Sequence, residues 1–426
     1  MRSAAEVIEA IHNARYTGRK VGLENTRALL QALGLSAVVP AVHVAGTNGK
    51  GSVCAMVESM LRRAGYHTGL YTSPFLQSYH ERIRLDGLPI SDELLADCGN
   101  ELLDTAERLR AQGIEPTAFE LGTALALMVF QRAQVDIMVV EVGLGGRLDP
   151  TNVITPLVSA IAAIGLDHVQ LLGETLPQIA AEKAGIIKPQ VPVVCHPAPA
   201  EVAEVFRQTA AQLGAPLHQL MASQVTQARC DAHGADAVFQ LADGSYPLRI
   251  ALAGEYQLLN ALTALEIIAC LREQGWSISA SAQAEGLRTV CWPARLEWHG
   301  QVLLDGAHNP QGLSALKAYT DRFLPTSRRV LLTGVLEDHL QKNTAALLAS
   351  MGDAVVTITP DSPRAMPADA LARLLQAEGK PVRTADTLHE GLQLAQEWAG
   401  SQGVVIVAGS LYLTGAARSE LGLPWR

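Results

Sequence analysis

The heptapeptide Gly46-Thr47-Asn48-Gly49-Lys50-Gly51-Ser52 carries the residue types that hold phosphate. Glycines let backbone N–H groups converge on oxygen, a following helix N-terminus adds partial positive charge, and Lys50 adds a full one. Ala41-Val42-His43-Val44-Ala45 before it reads as a buried strand, and Val53 to Ala64 after it has helical spacing. The general P-loop needs a hydroxyl directly after its lysine to hold Mg²⁺, and here Gly51 stands in that place. Metal ligands must then come from elsewhere.

Ligands of open α/β sheets sit beyond the C-terminal strand ends, which directs the search there. The apolar run Thr68–Tyr71 leads into Thr72-Ser73-Pro74. Asp136–Val142 carries Glu141 and ends at Gly143-Leu144-Gly145-Gly146, and Leu157–Ile164 ends at Gly165-Leu166-Asp167-His168. Ser73, Glu141 and His168 offer a hydroxyl, a carboxylate and an imidazole, and leave positions for water and phosphate oxygens, as Mg²⁺ requires. Each alone reads equally well as a turn or cap residue. Their shared position at strand ends, beside a loop without its own ligand, favours the metal.

Lys183 lies in the apolar helical stretch Ile179–Ile187. Burial would make it a reactive neutral amine, but spacing alone favours a surface lysine whose stem covers apolar neighbours. Asp305-Gly306-Ala307-His308-Asn309-Pro310 ends another strand, where His308 is placed to position a substrate carboxylate. Arg295 follows Pro293 at a break in the pattern, within reach of a phosphate across a cleft.

The elements that must position these groups alternate. Helices are predicted over residues 4–15, 25–34, 91–112, 117–133 and 256–274, with a surface loop from Tyr16 to Glu24. Val191–Cys195 adds a further buried strand, and residues 220–253 read as antiparallel. A second series has strands at Val302–Asp305, Val330–Thr333, Ala354–Ile358, Pro381–Thr384 and Val404–Ala408. The Cys-Trp-Pro break near 291–297 divides the chain into residues 1–292 and 293–426. The expected fold is α/β: a P-loop-type doubly wound N-terminal domain and a smaller, Rossmann-like C-terminal one.

Composition agrees: of 426 residues, 48% are hydrophobic and only 4% aromatic, which suits Val/Ile/Leu strands and Ala/Leu helices. A formal charge of −9 with interspersed signs argues against a nucleic-acid binder. Six cysteines without metal-ligand spacing imply free thiols in a reducing cytoplasm. The N-terminus lacks a signal-peptide core, and no apolar run is long enough for a membrane span.

The sequence resembles folylpolyglutamate synthase/dihydrofolate synthase, within the Mur ligase superfamily, over nearly its whole length. The resemblance rests on GTNGKGS at 46–52, YTSPFL at 71–76, ERIRLDG at 81–87, FELGT at 119–123, EVGLGGRLDPTNV at 141–153 and GLDH at 165–168. It continues through EKAGIIK at 182–188, LAGEYQLLNA at 252–261 and LLDGAHNPQG at 303–312. The resemblance implies a Mur-like central domain and an ATP- and Mg²⁺-dependent ligase, with a monovalent cation as a further ion, joining L-glutamate to dihydropteroate or tetrahydrofolate. The chain would act as a monomer.

By the same resemblance, Asn48, Gly49, Lys50, Gly51 and Ser52 would hold phosphates, and Asn260, Arg295 and Asp305 the rest of the nucleotide. Ser73, Glu141 and His168 would hold Mg²⁺, and Lys183 would be carbamylated, against the surface reading. Phe119, Glu120, Leu121 and Gly122, with Leu148, Asp149 and Pro150, would contact the pterin substrate, and His308 and Ser410 the glutamate. Lys50, Lys183 and His308 would be catalytic. Two segments depart from the pattern: Leu336-Glu337-Asp338-His339, where relatives carry Asp-Lys-Asp, and Arg19-Lys20-Val21. The alternatives are a Mur-type ligase for another carboxylate, or a non-enzymatic nucleotide switch. The lack of an Asn-Lys-x-Asp motif and the second polar strand end argue against the switch.

Overall fold

The structure, a computed structural model, describes residues 1–14, 22–35, 39–337, 340 and 343–425. Tyr16–Val21 of the expected loop, and Asp338 and His339 of the departing segment, lie outside these residues.

Eight strands form the first sheet: β1 (Ala41–Ala45), β2 (Thr68–Tyr71), β3 (Ile83–Leu85), β4 (Leu88–Pro89), β5 (Ile137–Glu141), β6 (Val158–Ile161), β7 (Val193–Cys195) and β8 (Leu217–Gln219). Their order is β4-β3-β2-β5-β1-β6-β7-β8. All pairs from β2 to β8 are parallel, whereas β3 and β4 form an antiparallel edge hairpin. The chain leaves β1 for β2 on one side and later returns to β6 on the other, so the order reverses at the glycine-rich loop.

Side chains alternate between faces, and both faces are apolar because helices cover both. Ile137 and Val139 of β5 pack with the helices Lys50–Arg63, Tyr256–Glu273 and Ala280–Thr289. Met138 and Val140 face the opposite layer of Asp92–Arg110 and Ala118–Arg132. The predicted helices at 4–15 and 25–34 are shorter, Ala4–His12 and Glu24–Ala32.

A three-stranded antiparallel sheet follows, β9 (Val225–Asp231), β10 (Gly234–Leu241) and β11 (Gly244–Ile250), with Phe239 opposite Tyr246. It caps the first core through Ala235, Ala237, Phe239 and Ile250.

The third sheet has β12 (Glu297–His299), β13 (Val302–Leu304), β14 (Arg329–Thr333), β15 (Ala354–Thr357), β16 (Val382–Thr384) and β17 (Val404–Ala408). Its order is β12-β13-β17-β14-β15-β16, parallel except for β12. Leu303, Leu331 and Ile406 face one helical layer and Leu304, Leu332 and Val407 the other. Because β13 pairs with β17, the loops after Asp305 and before Ser410 are neighbours, joined by Gly409 N–H donating to the Ala307 carbonyl at 2.9 Å.

Candidate active site

The glycine-rich loop turns off β1 between the ends of β5 and β6. Thr47 and Asn48 N–H donate to the Ala163 carbonyl at 2.8 and 3.2 Å, which stitches the loop to the end of β6. Gly49 closes it at φ +84° and is the N-cap of the helix Lys50–Arg63. No side chain caps that helix end and its first turn holds no acid. The opening N–H groups are thus left to an anion. Lys50 Nζ donates back to the Thr47 carbonyl at 3.1 Å, over the loop mouth.

Two glycines here answer to their neighbours. A Cβ on Gly49 would lie 2.4 Å from Asn260 Oδ1, in a backbone region L-residues rarely adopt. Asn260 is itself fixed, its Nδ2 donating to Gln257 Oε1 at 2.9 Å. A Cβ on Gly51 would lie 3.0 Å from the Trp292 ring, so the place of the usual P-loop hydroxyl is closed by an indole. We expect Gly49→Ala to weaken binding of a nucleoside triphosphate about 10-fold or more, since a left-handed alanine costs about 1–2 kcal/mol before Asn260 is displaced. Equilibrium dialysis checks this, and unchanged affinity would contradict it.

The expected metal set follows the C-terminal ends of β2, β5 and β6, the end of the sheet that holds the glycine-rich loop. Glu141 ends β5, is buried, and accepts a hydrogen bond from Ser73 N–H at 3.0 Å. Burial pushes its carboxyl above the usual range, and nearby Lys50 pulls it back. His168 follows β6 at φ +47°, with Nε2 3.9 Å from Asp167 Oδ1.

Lys183 corrects the surface reading. It is 4% exposed, and its Nζ donates to the Gly46 carbonyl at 2.8 Å. Burial, with Lys50 adding repulsion, pulls its pKa down to about 7. Apolar spacing held the whole side chain inside, and the amine found a loop carbonyl rather than water.

Across the cleft, Asp305 directly follows β13, buried, with Oδ2 accepting from Leu296 N–H at 2.9 Å and Oδ1 from Ala307 N–H at 2.8 Å. Burial raises its carboxyl and Arg295 lowers it. His308 Nδ1 lies 2.8 Å from the Gly306 carbonyl, which only accepts, so Nδ1 carries hydrogen and Nε2 is the acceptor of the neutral ring.

The two halves meet directly. Asn309 Nδ2 donates to Asn48 Oδ1 at 3.0 Å and Asn48 Nδ2 to Asn309 Oδ1 at 3.3 Å. Asn48 Nδ2 also reaches Gln311 Oε1 at 2.7 Å. The cleft between them is lined by Gly51, Ser73, Arg84, Glu141, Trp292 and Arg295. A larger groove of about 520 Å³ runs by β16, beside Asp369, Arg373 and Arg383, at a sheet edge away from these strand ends.

The sequence model of the Mur ligase middle domain matches residues 44–268, and that of the Mur ligase glutamate ligase domain matches residues 294–411. Over 422 residues the chain is 35% identical to the dihydrofolate synthase/folylpolyglutamate synthase of Bacillus subtilis, covering 96% of this chain and 97% of that one. The chain belongs to the folylpolyglutamate synthase/dihydrofolate synthase family of Mur ligases. Among solved structures, Mycobacterium tuberculosis folylpolyglutamate synthase complexed with ADP superposes with a TM-score of 0.89 at 32% identity over 98% of each chain. Escherichia coli FolC in complex with DHPP and ADP gives 0.86 at 30% identity, over 99% of this chain and 98% of that one.

Within this ligase, the segments expected to meet the pterin divide by role. Phe119 lies against Gly143, and Gly122 faces the Tyr71 and Tyr79 hydroxyls. Glu120 closes the capping box of its helix, its Oε2 accepting from Thr117 N–H at 2.7 Å, and Leu121 is core. Asp149 is buried and shapes its loop by accepting from Leu144 N–H at 2.8 Å and Thr151 N–H at 3.0 Å. Leu148 and Pro150 flank it, both partly exposed. Ser410 is buried and caps the helix Leu411–Glu420, its Oγ accepting from Tyr412 N–H at 3.2 Å.

Sequence reasoning gave no role to Arg82, Arg84, Trp292 or Asn309. Arg82 Cζ lies 5.8, 5.3 and 5.4 Å from the ring centroids of Tyr71, Tyr79 and Phe119, and Arg84 Cζ lies 5.7 Å from that of Trp292. Their spacing announced nothing: Arg82 and Arg84 fell within ERIRLDG, Trp292 within the Cys-Trp-Pro break and Asn309 within LLDGAHNPQG, with no role attached.

Proposed function

We propose that this chain ligates L-glutamate to the carboxylate of dihydropteroate and of tetrahydrofolates at the expense of ATP. The observation that carries the reading is the Asn48–Asn309 pairing, which sets a phosphate cradle against a second polar strand end. A nucleotide held by one side then presents its outer phosphate to whatever the other side holds.

The carboxylate oxygen attacks the γ-phosphorus of ATP, ADP leaves, and an acyl phosphate forms. The amine of glutamate next attacks the acyl carbon, phosphate departs and an amide results. Phosphorylation is needed because a carboxylate is a poor electrophile. Asn48 to Ser52 cradle the phosphates and Lys50 neutralises charge as two anions approach. Asn260, Arg295 and Asp305 complete the nucleotide site. His308 Nε2 and Ser410 lie toward glutamate, and the Nε2 acceptor suits an incoming ammonium. Phe119 to Gly122 and Leu148 to Pro150 bound the pterin side. Residues 1–292 would thus form the ATP and pterin unit, and residues 293–426 the glutamate unit.

Ser73, Glu141 and His168 fit Mg²⁺. A carboxylate buried beside the mouth of a phosphate cradle is a poor anion until a cation joins it; Ser73 lies against it, and His168 follows β6 at the same end of the sheet. Mg²⁺ bound there would offset phosphate charge. Lys183 suits carbamylation, since only the unprotonated amine adds CO₂ and burial brings its pKa to about 7. A monovalent cation would be a further ion of this enzyme, which we take to be a cytoplasmic monomer. No helix among the described residues is long and apolar enough to cross a membrane, and the free cysteines suit a reducing compartment.

Purified protein with Mg-ATP, glutamate and either acceptor tests the reading by mass spectrometry. An increment of one glutamate is expected on both dihydropteroate and tetrahydrofolate. No increment on either acceptor overturns it, and an increment with a different amino acid instead would move the chain to another Mur-type ligase.

A further inference from the structure

Away from the ligation site, the fold assembles a second cluster of donor atoms. His218 stands in the middle of β8, the edge strand of the first sheet. Glu266 and Cys270 lie four residues apart on the helix Tyr256–Glu273, so they share a face. One ligand atom from each of the three lies within 4.8 Å of the others.

The arrangement within the cluster is ordered. His218 Nδ1 is 2.7 Å from Glu266 Oε1, and its Nε2 is 3.7 Å from Cys270 Sγ. The carboxylate accepts, so Nδ1 carries hydrogen and Nε2 faces the sulfur. Bonds of about 2.0 Å to imidazole nitrogen and about 2.3 Å to thiolate sulfur put those atoms roughly 3.5 Å apart on a tetrahedral ion. The observed separation is close to that span. Metal-bound histidines characteristically donate their other N–H to a carboxylate, which is the place Glu266 occupies. Cys270 is 1% exposed, while the His218 side chain is 24% exposed and gives solvent a route in.

We propose that Cys270 Sγ and His218 Nε2 bind a thiophilic divalent cation of the zinc type, with Glu266 orienting the imidazole and water completing the shell. Binding breaks the S–H bond and, in the imidazolium, the Nε2–H bond, and those protons pass to solvent as the two metal bonds form. A thiolate donor disfavours Mg²⁺, so this site and the Ser73, Glu141 and His168 set select different ions. The ion would tie β8 to the helix whose other end holds Asn260 against Gly49, about 15 Å from Cys270 along the helix axis.

Titration of the metal-free full-length protein with Co²⁺ tests the site, because only a sulfur ligand gives thiolate-to-cobalt charge-transfer absorption. The expected result is a band saturating at one equivalent, abolished by Zn²⁺ and insensitive to excess Mg²⁺. Cys270→Ser and His218→Gln should lose the band, Glu266→Gln should weaken binding about 10- to 100-fold, and Cys291→Ser should keep it. On the unmutated protein, zinc-edge X-ray absorption should report one sulfur neighbour, which covers a variant that fails to fold. Absence of the band and of a sulfur neighbour, or a band that survives in Cys270→Ser, would overturn the proposal and leave a His218–Glu266 ion pair beside an ordinary thiol.

Discussion

Lys183→Met is expected to lower ligation about 1,000-fold or more while the protein melts at or above the wild-type temperature. The two effects have one cause. Folding takes the amine from water to a buried site, where its pKa falls from 10.5 to about 7. Between those values the unfolded chain holds more protons than the folded one, so stability rises with pH across that window. Below pH 7 the penalty is full, about 5 kcal/mol. Methionine fills similar volume without it. The loss is the Gly46 carbonyl's donor, 2.8 Å from Nζ, at about 1–3 kcal/mol. The pH slope of stability between 7 and 10 should therefore flatten in the variant, as read by denaturant titration at several pH values.

The activity loss follows from where the amine sits, on the carbonyl of the first residue of the phosphate loop. If the amine works as a carbamate, wild-type activity should fall in CO₂-free buffer and return with bicarbonate, whereas the methionine variant responds to neither. A variant retaining a tenth of wild-type turnover would remove Lys183 from the mechanism.

Lys183 also marks the limit of what the sequence discloses. Central strands were legible because helices cover both faces and the segments read as unbroken apolar runs, as in Ile137–Glu141 and Val404–Ala408. Three strands at the margins of the first sheet were not. Ile83–Leu85 with Leu88–Pro89, and Leu217–Gln219, are only partly buried, so their polar residues erase the pattern. The strand-end positions of Ser73, Glu141, His168 and Asp305 could be read from local order. The Asn48–Asn309 pair spans 261 residues of sequence, and nothing local announces it. Glu120 and Asp149 illustrate the converse: acids within distinctive motifs that are occupied by a helix cap and a loop turn. The burial of Lys183 required knowing that the helix Leu176–Ala184 packs beneath the loop, a tertiary fact.

Glu141→Gln tests the metal set with the same separation of function from stability. The expected loss of ligation is again about 1,000-fold or more, roughly 4 kcal/mol of transition-state stabilisation. Glutamine has nearly the same shape and retains an acceptor for Ser73 N–H, so the loop after β2 keeps its anchor. What it lacks is charge. Burial raises the Glu141 carboxyl above 4.5, with Lys50, the Ser73 hydrogen bond and Arg295 opposing. A carboxyl raised on folding contributes stability below its unfolded value and loses it as pH rises through the folded value. Above that folded value and without a divalent ion, the anion is therefore a burden on the fold, which glutamine removes. Melting curves with and without Mg²⁺ should then cross over. Without the ion the variant melts at or above wild type, and with it only wild type gains. Equal Mg²⁺-dependent gains in both proteins would mean that the ion is held without Glu141, and the strand-end metal set would have to be redrawn.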